Sequence, residues 1–422
     1  MRKSMLTRML IIFGMCLFIA GCTKSQKADK NPEEYTNFSK VLDMDANNEG
    51  KKTIALTDGY TDEALTVVGE DEPGYGTLGV NIKSDQNQVL LCKDPVYDIV
   101  YYVNYGIDYY IYRLKDNKSE LVVKLPAKRL FCIGGKLYFI LESYDIYEFQ
   151  DINNGAILCY DPVSGEVSKI TDDSASTMFV YEDGIYYYVN LKREDLGEGK
   201  FIQYRTLYFY SFRTEKREEI KDPYITPYKW KEYHFTYEVE AGEETYERSG
   251  KKEKITRTVG IGLETLDKAK RIELPINSML DHITIVGDNI YCTAASETLE
   301  ILNINTMEKK EVPLANPYYN DFTICNNMLY VESMLQIDPE TGQQRKIEAQ
   351  NPGEVIHELY TDGNNLYGIC GPKEGMQYGV MRRIELEENP ENAIVLQNQK
   401  GTSYETGGLA YKTLPMGEEQ TN

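Results

Sequence analysis

One short pattern recurs along the chain: a polar turn, an apolar residue, then usually Tyr in a β-favouring run. It reads DIVYYVN from Asp98, GGKLYFI from Gly134, YEDGIYYYVN from Tyr181, GDNIYCT from Gly287, NNMLYVE from Asn326 and GNNLYGI from Gly363. A degenerate copy, KEYHFTY, starts at Lys231. Aligned on Tyr101, Tyr138, Tyr186, Tyr291, Tyr330 and Tyr367, the copies are separated by 37, 48, 105, 39 and 37 residues, and the gap of 105 holds the degenerate copy and so spans two repeats. A fixed period of this length restricts the chain to a repeat architecture.

A hairpin motif follows each Tyr run. LCYDPVSGEVSKIT from Leu158 and LQIDPETGQQRKIE from Leu335 share Asp-Pro-x-Ser/Thr-Gly. Related hairpins begin at Ile111, Leu207, Leu263 and Leu299. Their turn residues supply the positive φ that a short hairpin loop requires. Each repeat therefore holds about four short strands, the mark of a β-propeller blade. The chain is predicted to be all-β, with Tyr strands beginning near Ile99, Leu137, Ile185, Tyr233, Ile290, Leu329 and Leu366. That count gives seven blades, with six or eight as alternatives. Segment 51–86 is expected to close the ring, pair with GGLAYKTL near the C-terminus, or form an eighth blade. Blade sheets stack face to face, so an inner strand is covered on both sides and reads as continuously apolar. Tyr suits such a wedge because its ring packs while its hydroxyl reaches water or a carbonyl at the blade edge; the chain has 35 Tyr against 12 Phe and one Trp.

These turn–Ile/Leu–Tyr and Asp-Pro-x-x-Gly patterns, over roughly residues 87–400, resemble bacterial propellers related to the YWTD blades of the low-density-lipoprotein receptor family, and more loosely the Tol-system propeller. The YWTD tetrad itself is absent, as is the Gly-His…Trp-Asp signature of WD repeats. The resemblance implies a propeller lipoprotein more often than an enzyme.

The N-terminus reads as an export signal. Arg2, Lys3 and Arg8 precede an apolar run from Met9 to Ala20, 12 residues long and short for a bilayer span. The run ends in Ile-Ala-Gly-Cys, which resembles the bacterial lipobox. That resemblance implies cleavage before Cys22 and acylation of its thiol, anchoring the chain to a lipid bilayer at the extracytoplasmic face. The expected organisation is a signal peptide over 1–21, a flexible polar tether over 22–50, a propeller over 51–415 and a disordered tail over 416–422. The formal charge of −21 becomes −24 once the three signal-peptide cations are removed. Such an acidic surface repels nucleic acid. Six cysteines follow the signal: Cys92, Cys132, Cys159, Cys292, Cys325 and Cys370, none in a CxxC pair, and most in apolar runs that predict buried free thiols.

Function on a propeller is expected where loops break the repeat. The loops between second and third strands are long in three consecutive blades: 142–155, 191–205 and 238–260. In the last, an acidic arm (EVEAGEETYE) faces a basic one (KKEKITR) across Ser-Gly, predicting a protruding two-stranded ribbon, with a disordered charged loop as the alternative. The three loops should rise side by side as a wall that contacts a ligand, an envelope protein or a glycan. Tyr144, Tyr147, Phe149, Phe201, Tyr204, Trp230 and Tyr246 are its candidate aromatic anchors. His234, His282 and His357 each stand alone, and no HExxH, GxSxG or P-loop is present, so no catalytic, cofactor or metal residues are assigned. Two functions are weighed: a non-catalytic binding or scaffold propeller, and an exported glycan-active hydrolase or lyase using carboxylates at the central channel. The second requires acids with raised pKa converging at the axis.

Overall fold

The computed structural model describes residues 53–55 and 89–417, apart from 143–154, 198–199, 246–251, 277–281, 294–297, 315–321, 332–333, 352, 374–378, 394 and 398–402. Strands dominate. Among the described residues the one helical turn is a 3-10 turn at Pro390–Asn392, and no helix is long and apolar enough to cross a membrane.

The strands form five sheets in which four strands pair in chain order: sheet 1 (91–123), sheet 2 (127–171), sheet 3 (175–220), sheet 4 (225–274) and sheet 5 (282–313). An eight-stranded sheet 6 covers 322–414. The first strand of one sheet lies beside the first strand of the next: Leu91–Asp94 beside Ala127–Ile133, that beside Ala175–Tyr181, and that beside Ile225–Trp230. Glu354–Thr361 of sheet 6 in turn lies beside Leu91–Asp94, so the end of the ring meets its start. Apolar clusters fill the spaces between neighbours. Trp230, Leu263, Ile283 and Ile290 join sheets 4 and 5, and Leu299, Val312, Phe322 and Leu329 join sheets 5 and 6. The molecule is a β-propeller.

The hairpin turns follow the chemistry read from the sequence. Asp161 Oδ1 accepts from the amides of Val163 and Ser164, and Gly165 takes φ 70°. Asp338 and Gly342 repeat that arrangement, with φ 75°. The six cysteines are all buried within strands and none of them forms a disulfide.

Tyr186 and Tyr187, adjacent in one strand, are 1% and 0% exposed. Tyr186 belongs to a cluster with Leu207 and with Ile225 of sheet 4, and its ring meets His234 at 4.7 Å. Tyr187 points the other way, into a cluster with Ile140 and Ile157 of sheet 2. Sheet 3 is covered on both faces, as the triple Tyr demanded. The hydroxyls mostly reach carboxylates rather than carbonyls: Tyr186 donates to Asp183 (3.1 Å), Tyr187 to Asp173 (2.6 Å), Tyr367 to Asp362 (2.8 Å) and Tyr112 to Asp108 (2.8 Å).

Chain-terminal pairings depart from expectation. Thr53–Ala55 neither closes the ring nor joins the C-terminal segment; it adds a fifth strand to the outer edge of sheet 2, antiparallel to Glu166–Thr171. Gly407–Leu414, the GGLAYKTL segment, pairs antiparallel with Val380–Glu388 and parallel with Gln344–Ala349, fusing two meanders into sheet 6. The close approach explains one glycine: a Cβ on Gly408 would lie 2.1 Å from the Asn389 carbonyl oxygen. Packing also runs past the expected limit of the propeller, since Met416 is buried.

Two Tyr→Phe changes should separate. Asp362 is 4% exposed and accepts the Tyr367 hydroxyl along with the amides of Asn364 and Asn365. Tyr367→Phe removes a charge-assisted bond and should cost about 1–2 kcal/mol in urea unfolding. The Tyr101 hydroxyl is fully buried without a partner, so Tyr101→Phe should be neutral or stabilising in the same assay.

Candidate functional site

Sheets 3 and 4 depart most from the repeat. In sheet 3, strands Gly184–Gly197 and Lys200–Ser211 pair with each other throughout, but the inner strand covers only 184–189 and the outer strand only 207–210. Residues 190–197 and 200–206 therefore extend as a two-stranded ribbon. In sheet 4, Tyr233–Thr245 and Lys252–Thr265 do the same, because the outer strand stops at its pairing with 261–264. The second ribbon is the one expected from its charge pattern: its register sets Glu240 opposite Arg257 and Glu243 opposite Lys254, with one like pair, Glu244 opposite Glu253. The first was expected as a loop; it pairs instead through FIQYRT, whose aromatic and β-branched residues suit strands.

Phe201 and Tyr204 lie in the sheet 3 ribbon, paired with Asp195 and Lys192. Trp230 lies elsewhere. It ends an inner strand, is 8% exposed, donates Nε1–H to Asp288 (3.2 Å) and carries the Lys231 ammonium 4.0 Å over its ring. It is a wedge between sheets 4 and 5 rather than part of a wall with the ribbons. Tyr144, Tyr147, Phe149 and Tyr246 lie outside the described residues.

Beneath the ribbons a groove follows the junction of sheets 3 and 4. One section, about 380 Å³, is lined by Tyr188, Arg205, Leu207 and the connector 219–223. The next, about 710 Å³, shares that connector and adds Glu218, Tyr224, Leu266 and Lys268. The last, about 430 Å³, shares Leu266 and reaches Asp183, Lys229, Glu232 and His234. Tyr224 and Leu266 are 45% and 43% exposed, two of the molecule's large apolar side chains left open to solvent. Neither belongs to the Tyr motif, and both escaped the sequence reading. The available signal was an apolar residue inside a polar turn, Leu266 in TLDKAK.

At the deep end of the groove the polar groups are committed to one another. Lys229 pairs with Asp183, which also accepts the Tyr186 hydroxyl, and the Lys229 amide donates to the Tyr181 oxygen (2.9 Å). Burial pushes His234 down to about 4, only partly offset by the contact of Nδ1 with the Thr226 carbonyl (3.2 Å). A neutral, carbonyl-tethered imidazole beside an ion-paired Asp holds two sheets together. Among the described residues no three His, Cys, Asp or Glu side chains are placed to hold a metal ion.

No family model matches the chain, and no curated protein matches it. Similar solved structures include the WD40 propeller domain of Doa1 (11% identity, 72% of this chain and 95% of that one, TM-score 0.36). Another is an oligogalacturonate lyase from Vibrio parahaemolyticus (11% identity, 52% of this chain, TM-score 0.31), of which the match spans 63%. A third is the computationally designed protein Ika8 (10% identity, 78% of this chain and 98% of that one, TM-score 0.36). Likeness this remote carries nothing about activity.

The buried imidazole makes stability depend on pH. Its folded pKa lies below the unfolded value of 6.5, so the unfolded chain binds more protons below that pH. Its effect is absent above pH 6.5, grows as pH falls, and is complete near pH 4, where it costs up to about 3 kcal/mol. His234→Phe, which keeps the ring contact with Tyr186, should flatten the fall in unfolding free energy between pH 6.5 and 5.

Proposed function

We propose that the protein is a lipid-anchored, extracytoplasmic β-propeller that binds an envelope protein or glycan and catalyses no reaction. The observation that carries this reading is the pair of ribbons, 190–206 and 238–260, raised from neighbouring sheets that otherwise keep the four-strand plan. A ligand would meet the ribbons, with Phe201 and Tyr204 among the contacts, together with the 142–155 segment. In this reading sheet 6 counts as two blades, 322–349 and 354–414, each a four-strand meander, giving seven in all. Cys22 would carry the acyl chains, and the polar segment after it would let the propeller stand off the bilayer.

The glycan-active alternative finds less support. Glu142 is ion-paired with Lys128 (2.9 Å), and Glu358 accepts the Tyr360 hydroxyl. Asp94 is raised by burial, but its two oxygens accept the amides of Val96 and Tyr97 and build a turn. These carboxylates serve the fold.

Replacing 192–203 and 240–257 by two-residue Asn-Gly turns should leave a folded ring and reduce recovery of crosslinked partners from the native envelope at least tenfold. Undiminished recovery would overturn the ribbon assignment. Separately, Cys22→Ala should abolish incorporation of radiolabelled palmitate and move the protein to the soluble fraction; persistent labelling would exclude Cys22 as the acylated residue.

A further inference from the structure

The outer edges of this propeller accept strands. Sheet 2 takes Thr53–Ala55 along its outer strand, with Thr53 opposite Ser168 and Ala55 opposite Glu166. In sheet 6 the outer strands of the two meanders take each other. Among the described residues, the last strand of sheet 3, Arg217–Ile220, pairs on one side only, with Leu207–Tyr210. Its far side carries an unpaired row of backbone donors and acceptors, a template for a further strand.

Three features set this edge apart from the other open ones. First, it borders the 710 Å³ section of the groove, where Tyr224 and Leu266 stand exposed. A strand laid along the edge would drop alternate side chains towards them. Second, Glu218 and Glu219 are exposed, and among the described residues neither has an ion pair or a side-chain hydrogen bond. Third, the carboxylates on the other open edges are already matched: Glu120 of sheet 1 by Arg113, Glu273 of sheet 4 by Arg271 and Glu311 of sheet 5 by Lys309. Two free carboxylates on an edge repel acidic strands, including those of a second copy of this chain with its net charge of −21. They favour a strand bearing Lys or Arg.

We infer that the outer edge of sheet 3 is a peptide-binding site, which takes an extended segment of a partner protein by strand addition, apolar side chains in the groove and basic ones against Glu218 and Glu219. The site is separate from the ribbons and does not rest on them. The chain itself shows the chemistry that such edges accept: the strand on sheet 2 lies in Lys-Lys-Thr-Ile-Ala-Leu-Thr, residues 51–57.

The test uses the full chain with Cys22→Ser and a fluorescein-labelled peptide of that sequence, followed by anisotropy. Saturable binding is expected. It should weaken at least tenfold with Glu218→Lys/Glu219→Lys, and several-fold with Leu266→Asp. It should also weaken at least tenfold when alternate peptide amides are N-methylated, which removes strand pairing but keeps the side chains. The ribbon-shortened variant should bind as the parent does. Absence of saturable binding overturns the proposal. So does equal binding by the double variant, which would place the peptide on another edge, or by a peptide with Glu in place of Lys, which would make the contact non-specific. Circular dichroism and urea unfolding check that each variant is folded, and because Glu218 and Glu219 are exposed the double variant is expected to pass. A dimer in sedimentation that the double variant dissolves would give the edge to a second copy and overturn the peptide assignment.

Discussion

The ring depends on tyrosines wedged between sheets with their hydroxyls on carboxylates. A blade sheet has two apolar faces, and each must meet a neighbour whose inner end is narrow and whose rim is wet. A Tyr meets both conditions, burying a large ring and delivering a donor at the polar margin. Tyr187 and Tyr367 show the consequence. Burial first, and then the neighbouring carboxylate, raises each phenol's pKa, so the hydroxyl remains a donor to Asp173 or Asp362 across the physiological range. Asp173 is lowered: burial works against this, but bonds from Arg217, Tyr187 and Thr171 outweigh it. At Asp173, phenol and carboxylate thus hold complementary protonation states.

That economy explains why the architecture was legible in the chain. Tyr at fixed spacing marks the wedge, and Asp followed by Gly marks the hairpin on the far side of it. The related hairpins keep the backbone and change the residues. The amide of Gly165 bonds the Asp161 carbonyl, and the same link joins Glu215 to Ser211, Met307 to Asn303 and Gly342 to Asp338. Glu215 and Met307 hold φ of 53° and 59° without being glycine. A left-handed non-glycine residue is tolerated when the surrounding hairpin fixes the conformation. The repeat is therefore more regular in space than in letters.

What the sequence hid were pairings between distant segments. Nothing local in Thr53–Ala55 names Glu166–Thr171 as its partner, and nothing in Gly407–Leu414 announces a parallel neighbour in Gln344–Ala349. Strand alternation defines a face, whereas the choice among open edges depends on where the ring has placed them. Trp230 lies away from the ribbons for a related reason. A lone Trp near a long loop reads as an interface anchor, yet its position at the end of an inner strand turns it towards Asp288 on the next sheet. The groove escaped notice because it is assembled from a connector of one blade and a turn of the next.

The ribbons stand in a different energetic relation to the fold. Inside the ring a strand is covered by neighbours on both faces, and burial of each Tyr removes roughly 150–250 Å² from water, worth roughly 4–6 kcal/mol before entropy. Beyond the ring, the described residues 190–197 and 200–206, and 238–245 and 252–260, keep only each other as strand partners. An isolated two-stranded hairpin is marginal in water. The ribbons are therefore held up by their roots and return little stability to the ring. Sheet 5 keeps the four-strand plan with a second strand of 5 residues, Asn289–Thr293, against 14 in the corresponding strand of sheet 3. The extra length is unnecessary to the propeller, and its cost falls on backbone that gains no core.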